Sequence, residues 1–101
     1  MVEKVSKLRI MSDVNDKMNL SIVDTNSNCL VVSQFTLYAN TKDGNRPSFI
    51  EAEESTKAKE MYEYFVEKLK LKNIHVETGE FGEYMEINAI FDGPVTIILE
   101  N

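Results

Sequence analysis

The segment from Ser55 to Leu71 constrains the fold most, because it carries the pattern of a helix with one apolar face. Apolar side chains recur along it at the i, i+3, i+4 and i+7 spacing, at Ala58, Met61, Tyr62, Phe65 and Leu69. Ser55 or Thr56 can cap its start, and the lysines at its end suit the negative pole of the helix. A helix of this kind needs a second layer to cover its apolar stripe.

Extended segments surround this helix on both sides. The clearest is Cys29 to Ala39, where Leu30-Val31-Val32 is apolar on both faces, as in a strand covered on both sides. Lys17 to Val23 is expected to be extended, and Val2 to Leu8 has the spacing of the end of an amphipathic helix. Three further strands are predicted after the main helix, at Asn73 to Thr78, Tyr84 to Phe91 and Val95 to Glu100. The order of strands, helix and strands predicts an α+β fold with a mixed or antiparallel sheet.

Length and composition bound the function. The chain has 101 residues, of which 43% are apolar, and this suits one globular domain spanning residues 1–101. Its longest uncharged apolar run, Cys29 to Ala39, is too short for the ~20 residues of a membrane span, and its start lacks a secretory pattern. One cysteine and one histidine cannot form an internal disulfide or a zinc cage, so we expect a cytoplasmic protein without metal or cofactor.

The charged residues give two weaker indications. The net charge of −6 argues against broad, nonspecific binding to nucleic acid, although it allows a local basic patch. Lys42 and Arg46 are the basic residues of the unusually long loop from Asn40 to Glu54. His75 could belong to a Ser-His-Asp triad, but an outward-facing residue of a strand is the simpler interpretation.

Two short motifs carry the chemistry that the sequence offers. Ser33-Gln34-Phe35-Thr36 places polar groups inside an apolar segment, where they either pair with neighbouring backbone or line a polar pocket whose N–H groups stabilise an oxyanion. Gly93-Pro94 interrupts two predicted strands, either as a tight turn or bulge or as a rigid backbone element aimed at a ligand. These residue patterns leave both alternatives open.

Together the motifs resemble those of the D-aminoacyl-tRNA deacylases (the D-tyrosyl-tRNA deacylase family). Ser33-Gln34-Phe35-Thr36-Leu37 is similar to the family's SQxTL-type motif, and Asp92-Gly93-Pro94-Val95-Thr96 is similar to its NxGPxT motif. Three flanking stretches resemble the family in the same order: Lys17 to Ser21, Gly44 to Phe49 and Thr78 to Gly82. The resemblance covers almost the whole chain.

The resemblance implies a barrel-like α+β subunit that acts as a homodimer and hydrolyses the ester between a D-amino acid and tRNA, or between glycine and tRNA. It implies that the segment from Ser33 to Thr36 holds the ester, with the Phe35 N–H on the ester carbonyl and with Gln34 and Thr36 positioning the ligand or water. It also implies that Thr96 is a weaker candidate nucleophile. The Gly93-Pro94 bond, cis in the family, would enter the partner's site and exclude L side chains. From the charge pattern rather than the resemblance, we expect contact with the tRNA at Lys42 and Arg46, with Lys68 to Lys72 as a second candidate, unless these are basic residues that only serve solubility.

Two departures from the family pattern bear on activity. The family has a further N-terminal segment before the position that aligns with Met1, so the chain resembles an N-terminally truncated member. Phe91 stands where the second motif has asparagine. A catalytically impaired remnant that dimerises or binds tRNA is therefore one alternative, and a small α+β interaction domain with a structural polar strand is another.

Overall fold

The computed structural model describes all 101 residues, and its elements are short apart from one helix. Before the main helix lie helix α1 (Val2–Lys7), strands β1 (Met11–Ser12), β2 (Met18–Leu20) and β3 (Cys29–Val31), and a 3-10 helix at Phe35–Tyr38. Helix α2 spans Ser55–Lys70, and strand β4 spans Val76–Thr78. The α+β class, with one main helix, is confirmed.

The strands form two separate pairs. Strands β1 and β2 are antiparallel with an irregular register, while β3 and β4 are parallel, with Cys29 opposite Val76 and Val31 opposite Thr78. The crossover between the parallel strands contains α2, since parallel neighbours need a long connection. Helix α2 thereby lies against the parallel pair and leads into β4.

The core is small and lies between α2 and the parallel pair. Leu69 is fully buried, and Val66, Ile22, Ile74 and Val76 are buried around it. The predicted apolar stripe of α2 is correct at Tyr62, Phe65 and Leu69, which are buried or packed against the core. It is wrong at Met61, which is 63% exposed, because the buried face is rotated toward Val66.

Replacing Leu69 with alanine is expected to lower the free energy of unfolding by about 2–5 kcal/mol, because it empties the centre of a core of few residues. Urea denaturation measures this loss. Leu71→Ala is the matched control, since Leu71 follows the same helix but is 69% exposed. Equal shifts of the two midpoints would show that Leu69 is not the centre of the core.

The start of α2 is capped differently from the prediction. Glu54, rather than Ser55 or Thr56, caps the helix, and its carboxylate accepts hydrogen bonds from the N–H groups of Thr56 (2.9 Å) and Lys57 (3.2 Å). These backbone hydrogen bonds lower the pKa of Glu54 below its ordinary value of 4.5. A longer carboxylate side chain thus reaches the unpaired N–H groups of the first turn.

This cap predicts a pH dependence of stability. Because the pKa of Glu54 is lower in the folded chain, its contribution is complete above about pH 4.5 and is lost as pH falls through the folded value. The unfolding midpoint of the parent should therefore fall more between pH 6 and pH 3 than that of Glu54→Gln. Equal falls of the unfolding midpoint in the two proteins would show that Glu54 does not cause the pH dependence.

The strand predicted from Cys29 to Ala39 is mostly wrong. It ends at Val31, because its partner β4 ends at Thr78, the residue opposite, and the chain then turns into the 3-10 helix. Leu30 is 60% exposed, so the strand is not covered on both sides as predicted. The Ser33 to Thr36 motif consequently lies in a connection rather than in a sheet.

The two strands predicted at the C-terminus are absent. Residues 84–101 make no backbone-to-backbone hydrogen bonds, although their apolar residues alternate as in strands. Ile90 is 99% exposed and Phe91 is 78% exposed. A segment with alternating apolar residues forms part of a sheet only when another strand pairs with it, and no strand pairs with this segment. Neither helix is long and apolar enough to cross a membrane.

Candidate functional site

A cleft of about 700 Å³ opens between the Ser33 to Tyr38 segment, the following loop, the start of α2 and the turn after β4. The first three residues of the motif, Ser33, Gln34 and Phe35, line it. Apolar side chains predominate in the remaining wall. Four segments that are distant in sequence therefore meet at one concave surface, which is the usual setting of a ligand site.

Aromatic pairs form two walls of the cleft. The rings of Phe35 and Phe49 meet edge to face, with centroids 5.0 Å apart, and the rings of Tyr62 and Phe81 lie 5.7 Å apart in a tilted arrangement. Phe35 is 61% exposed despite its aromatic partner. Aromatic faces accessible from a cleft can stack with a planar ligand such as a nucleobase.

Tyr62 ties the helix to the motif. Its hydroxyl donates a hydrogen bond of 2.8 Å to the carbonyl oxygen of Val31, the last residue of β3 and two positions before Ser33. Because this bond spans 31 residues of sequence, it fixes the end of β3 relative to α2. The motif therefore leaves the sheet at a position set by the helix.

The backbone of the motif presents an unused donor. Gln34 is extended (φ −153°, ψ 101°), and the 3-10 helix begins at Phe35. The N–H of Phe35 therefore falls in the first turn, where helical N–H groups lack partners, and it donates no hydrogen bond within the chain. The amide of Gln34 donates to the hydroxyl of Thr36 at 2.5 Å, which links the two side chains beside this N–H.

The cleft offers carboxylates but no evident general base. A hydrogen bond from Lys57 is the main cause that lowers the pKa of Glu53, which lines the cleft, and the N–H of Glu54 lowers it further. Glu53 is therefore a weak base near neutral pH. His75 lies on the connection into β4, outside the cleft, and its ring pairs with Glu77 at 2.8 Å.

The second motif lies outside this cleft. Gly93, Pro94 and Thr96 are exposed and do not line it. The Gly93-Pro94 peptide bond is cis, and Gly93 has a φ of +113°, a conformation that L side chains rarely adopt. Within one chain, therefore, the structure brings together Ser33, Gln34 and Phe35 but not the residues of the second motif.

Lys42 and Arg46 lie in an exposed loop closed at its base. Asn40 and Ser48 exchange backbone hydrogen bonds of 2.8 and 2.9 Å, and the side chain of Asn40 accepts from the N–H of Lys42 at 3.0 Å. Phe49 follows directly and lines the cleft. Both basic side chains are thus solvent-accessible on a loop that leads into the site.

Most of the cleft wall is not marked by periodicity in the sequence. The apolar spacing of α2 puts Tyr62 on the buried face, yet its side chain packs against the core and also lines the cleft. Phe49, Phe81 and Met85 gave no signal by spacing, because they come from irregular segments. The side chain of Met85 packs against Gly79, where a Cβ would lie 2.4 Å from the methionine sulfur and would displace this flexible side chain.

Comparison with solved structures identifies the fold. The chain is similar to a c-Myc DNA unwinding element binding protein, with a TM-score of 0.87 and 36% identity over 99% of this chain and 68% of that protein. The order of elements, with the motif segment before the main helix, is therefore that of an established fold.

Sequence comparison assigns the family. The family model described as D-Tyr-tRNA(Tyr) deacylase matches residues 1–100, and the chain belongs to this family of hydrolases acting on aminoacyl-tRNA esters. It is 55% identical to the D-aminoacyl-tRNA deacylase of Lactobacillus gasseri and 52% identical to that of Thermotoga petrophila. These alignments cover 96% and 100% of this chain and 67% and 68% of the relatives. The chain thus spans about two thirds of the relatives' length.

Proposed function

We propose that this chain hydrolyses the ester that joins a D-amino acid to the 3′-terminal adenosine of tRNA, and that it removes glycine from tRNA in the same way. The observation that carries the proposal is the unpaired N–H of Phe35 beside an aromatic cleft. A preorganised backbone N–H of this kind stabilises the oxyanion that forms when an ester carbonyl is attacked. Membership of the deacylase family supplies the substrate class.

The aromatic walls suit the end of an aminoacyl-tRNA. The rings of Phe35, Phe49, Tyr62 and Phe81 would hold the terminal adenosine, because nucleobases stack on aromatic faces whatever their sequence context. The ester would then lie beside the motif, with its carbonyl oxygen at the Phe35 N–H. Ser33, Gln34 and Thr36 would position the aminoacyl group or the attacking water.

The protein's contribution to hydrolysis would be mainly positioning. Glu53 is a weak base and His75 is outside the cleft, so the chain has no strong base beside the motif. The 2′-hydroxyl of the terminal adenosine would organise the attack, and water would add to the carbonyl carbon to form the oxyanion. The 3′-oxygen would then leave with a proton that comes from the attacking water. Thr96 is the weaker candidate nucleophile, because an unactivated threonine hydroxyl reacts slowly.

Selection by handedness would come from a second copy of the chain. Gly93 and Pro94 would enter the partner's cleft, where their backbone would occupy the space that an L side chain needs. Their separation from the cleft of their own chain supports a cross-subunit arrangement. Glycine lacks a side chain, so the same clash cannot reject it. The protein would act as a homodimer in the cytoplasm, with Lys42 and Arg46 contacting the tRNA.

A second candidate function is a family member that dimerises or binds tRNA without turnover. The exposed apolar side chains of residues 84–98 favour it, because an unpaired segment of this kind can join another chain without completing a site.

The two functions differ in one assay. D-Tyr-tRNA and L-Tyr-tRNA are incubated separately with the chain, and loss of the ester is followed against a protein-free control. If the chain is a deacylase, we expect the ester of D-Tyr-tRNA, but not that of L-Tyr-tRNA, to be lost faster than in the protein-free control. Loss at the protein-free rate from both, with a persistent dimer or retained tRNA binding, would favour the second function.

A further inference from the structure

The positive charge of this acidic chain is concentrated in two short stretches. Residues 2–9 and 67–72 contain six of the eleven basic side chains but only two of the seventeen acidic ones. The rest of the chain therefore carries five basic and fifteen acidic residues, and outside the loop of Lys42 and Arg46 its charge repels a polyanion. We call these two stretches the basic end; its basic residues are Lys4, Lys7, Arg9, Lys68, Lys70 and Lys72.

The fold joins the two stretches into one surface. Helix α1 packs through Val2 and Val5 against the core that contains Leu69 of α2. Glu3, one of the two acidic residues, pairs with both Lys7, at 3.0 Å, and Lys72. The second stretch is thereby linked to the first, and the charge of Glu3 is already offset by lysines.

An open cleft of about 600 Å³ lies on the first stretch of the basic end. Lys4, Lys7 and Arg9 line it, and all three are exposed. Lys4 makes no ion pair within the chain. Hydrogen bonds from Ser21 are the main cause that lowers the pKa of Asp24, and the nearby guanidinium of Arg9 lowers it slightly further, so Arg9 is partly offset from outside the basic end. The uncompensated charge therefore resides mainly on the lysines.

The basic end lies away from the catalytic cleft. The cleft contacts Ser55, Ala58 and Tyr62 in the first half of α2, whereas the basic end includes its last residues. Along the helix axis, Tyr62 and Lys68 are about 9 Å apart, and Ser55 and Lys70 are about 22 Å apart. A ligand that occupies both places therefore extends beyond the terminal aminoacyl-adenosine.

We propose that the basic end binds the phosphate backbone of the tRNA acceptor arm while the 3′ end occupies the catalytic cleft. The identity of the RNA rests on the proposed function, whereas the positive charge of this surface does not depend on which reaction the cleft performs. The surface is separate from the Lys42 and Arg46 loop, which leads into the cleft itself. Ammonium groups contact phosphates without reading sequence, so the surface sets affinity rather than amino acid preference.

The chain offers a closely matched pair of variants. The basic-end double, Lys4→Gln with Lys7→Gln, removes an unpaired lysine and one that pairs with a glutamate four residues earlier. The control double, Lys17→Gln with Lys59→Gln, removes an unpaired lysine and one that pairs with a glutamate four residues later, both outside the basic end. Both doubles change the net charge equally. Binding of uncharged tRNA is measured across a salt series, and hydrolysis of D-tyrosyl-adenosine is measured separately. Thermal unfolding checks that each variant is folded. If the basic-end double does not fold, the single variant Lys4→Gln takes its place.

The basic-end double should reduce the slope of log K against log salt by about 1.4–1.8, and should weaken tRNA binding roughly tenfold near 0.1 M salt. The control double should change the salt slope and the tRNA affinity much less. Hydrolysis of D-tyrosyl-adenosine, which lacks the acceptor arm, should be unchanged in both.

Equal losses in the two doubles, or no loss in either, would overturn the basic end as a binding surface. If the parent hydrolyses D-tyrosyl-adenosine and only this tRNA effect is missing, the proposed function survives without the surface. If the parent hydrolyses neither D-tyrosyl-adenosine nor D-Tyr-tRNA but the basic-end double still selectively weakens tRNA binding, the surface stands and the proposed function fails.

Discussion

Replacing Phe35 with proline is expected to lower kcat for D-Tyr-tRNA about 100- to 1,000-fold, because proline removes the proposed oxyanion donor. The backbone accommodates this change. Phe35 is the first residue of the 3-10 helix, a position that proline tolerates, and Gln34 before it is already extended. The N–H that is lost donates no hydrogen bond within the chain, so folding should be little affected. Single-turnover hydrolysis measures the effect.

Phe35→Ala is the control for the ring. It removes the edge-to-face contact with Phe49 but keeps the N–H. We expect it to weaken substrate binding and to retain most of the kcat. If Phe35→Ala lowers kcat as much as Phe35→Pro does, the ring rather than the backbone donor is responsible.

Replacing Pro94 with glycine is expected to reduce the ratio of D-Tyr-tRNA to L-Tyr-tRNA hydrolysis about 10- to 200-fold, the range by which small steric differences in a pocket discriminate substrates. Proline restricts the backbone of the Gly93-Pro94 turn, and glycine frees it to yield to an L side chain. The ratio should fall because L-Tyr-tRNA becomes a substrate, with D-Tyr-tRNA hydrolysis largely kept.

Pro47→Gly provides the matched control, since Pro47 is the only other proline and lies in the exposed loop after Arg46. This variant should keep the parent's discrimination. An unchanged ratio in Pro94→Gly, or an equal fall in Pro47→Gly, would rule out the turn as the selective element.

The main helix was predictable from sequence because its information is local. The spacing from Ala58 to Leu69 and the lysines at the helix end fixed its type and extent, and the structure ends it at Lys70. The cap was not predictable, since Glu54 replaces the usual short polar side chain. Strand ends depend on partners elsewhere in the chain, which is why Cys29 to Ala39 was too long and the strands after Tyr84 were wrong.

The site was predictable only in part, and for the same reason. The motifs identified Ser33, Gln34 and Phe35, which the structure places on one cleft. The aromatic wall required the fold, because Phe49 and Phe81 come from irregular segments on opposite sides of α2 in sequence. The sequence marks Lys68 to Lys72 as a candidate surface, but their connection to α1 required the fold, because Lys72 reaches Glu3 only when α1 packs on the core of α2.

Mixed dimers show whether the cleft of one chain uses the Gly93-Pro94 turn of another. Pro94→Gly is co-expressed with an excess of Phe35→Pro, so that most Pro94→Gly chains pair with the other variant. In such a dimer the active cleft faces an intact turn, and the altered turn faces the inactive cleft. We predict that L-Tyr-tRNA hydrolysis by the Pro94→Gly chains is suppressed while D-Tyr-tRNA hydrolysis continues. Undiminished L-Tyr-tRNA hydrolysis in isolated mixed dimers, or an absence of dimers altogether, would show that the cleft does not use the turn of a partner chain.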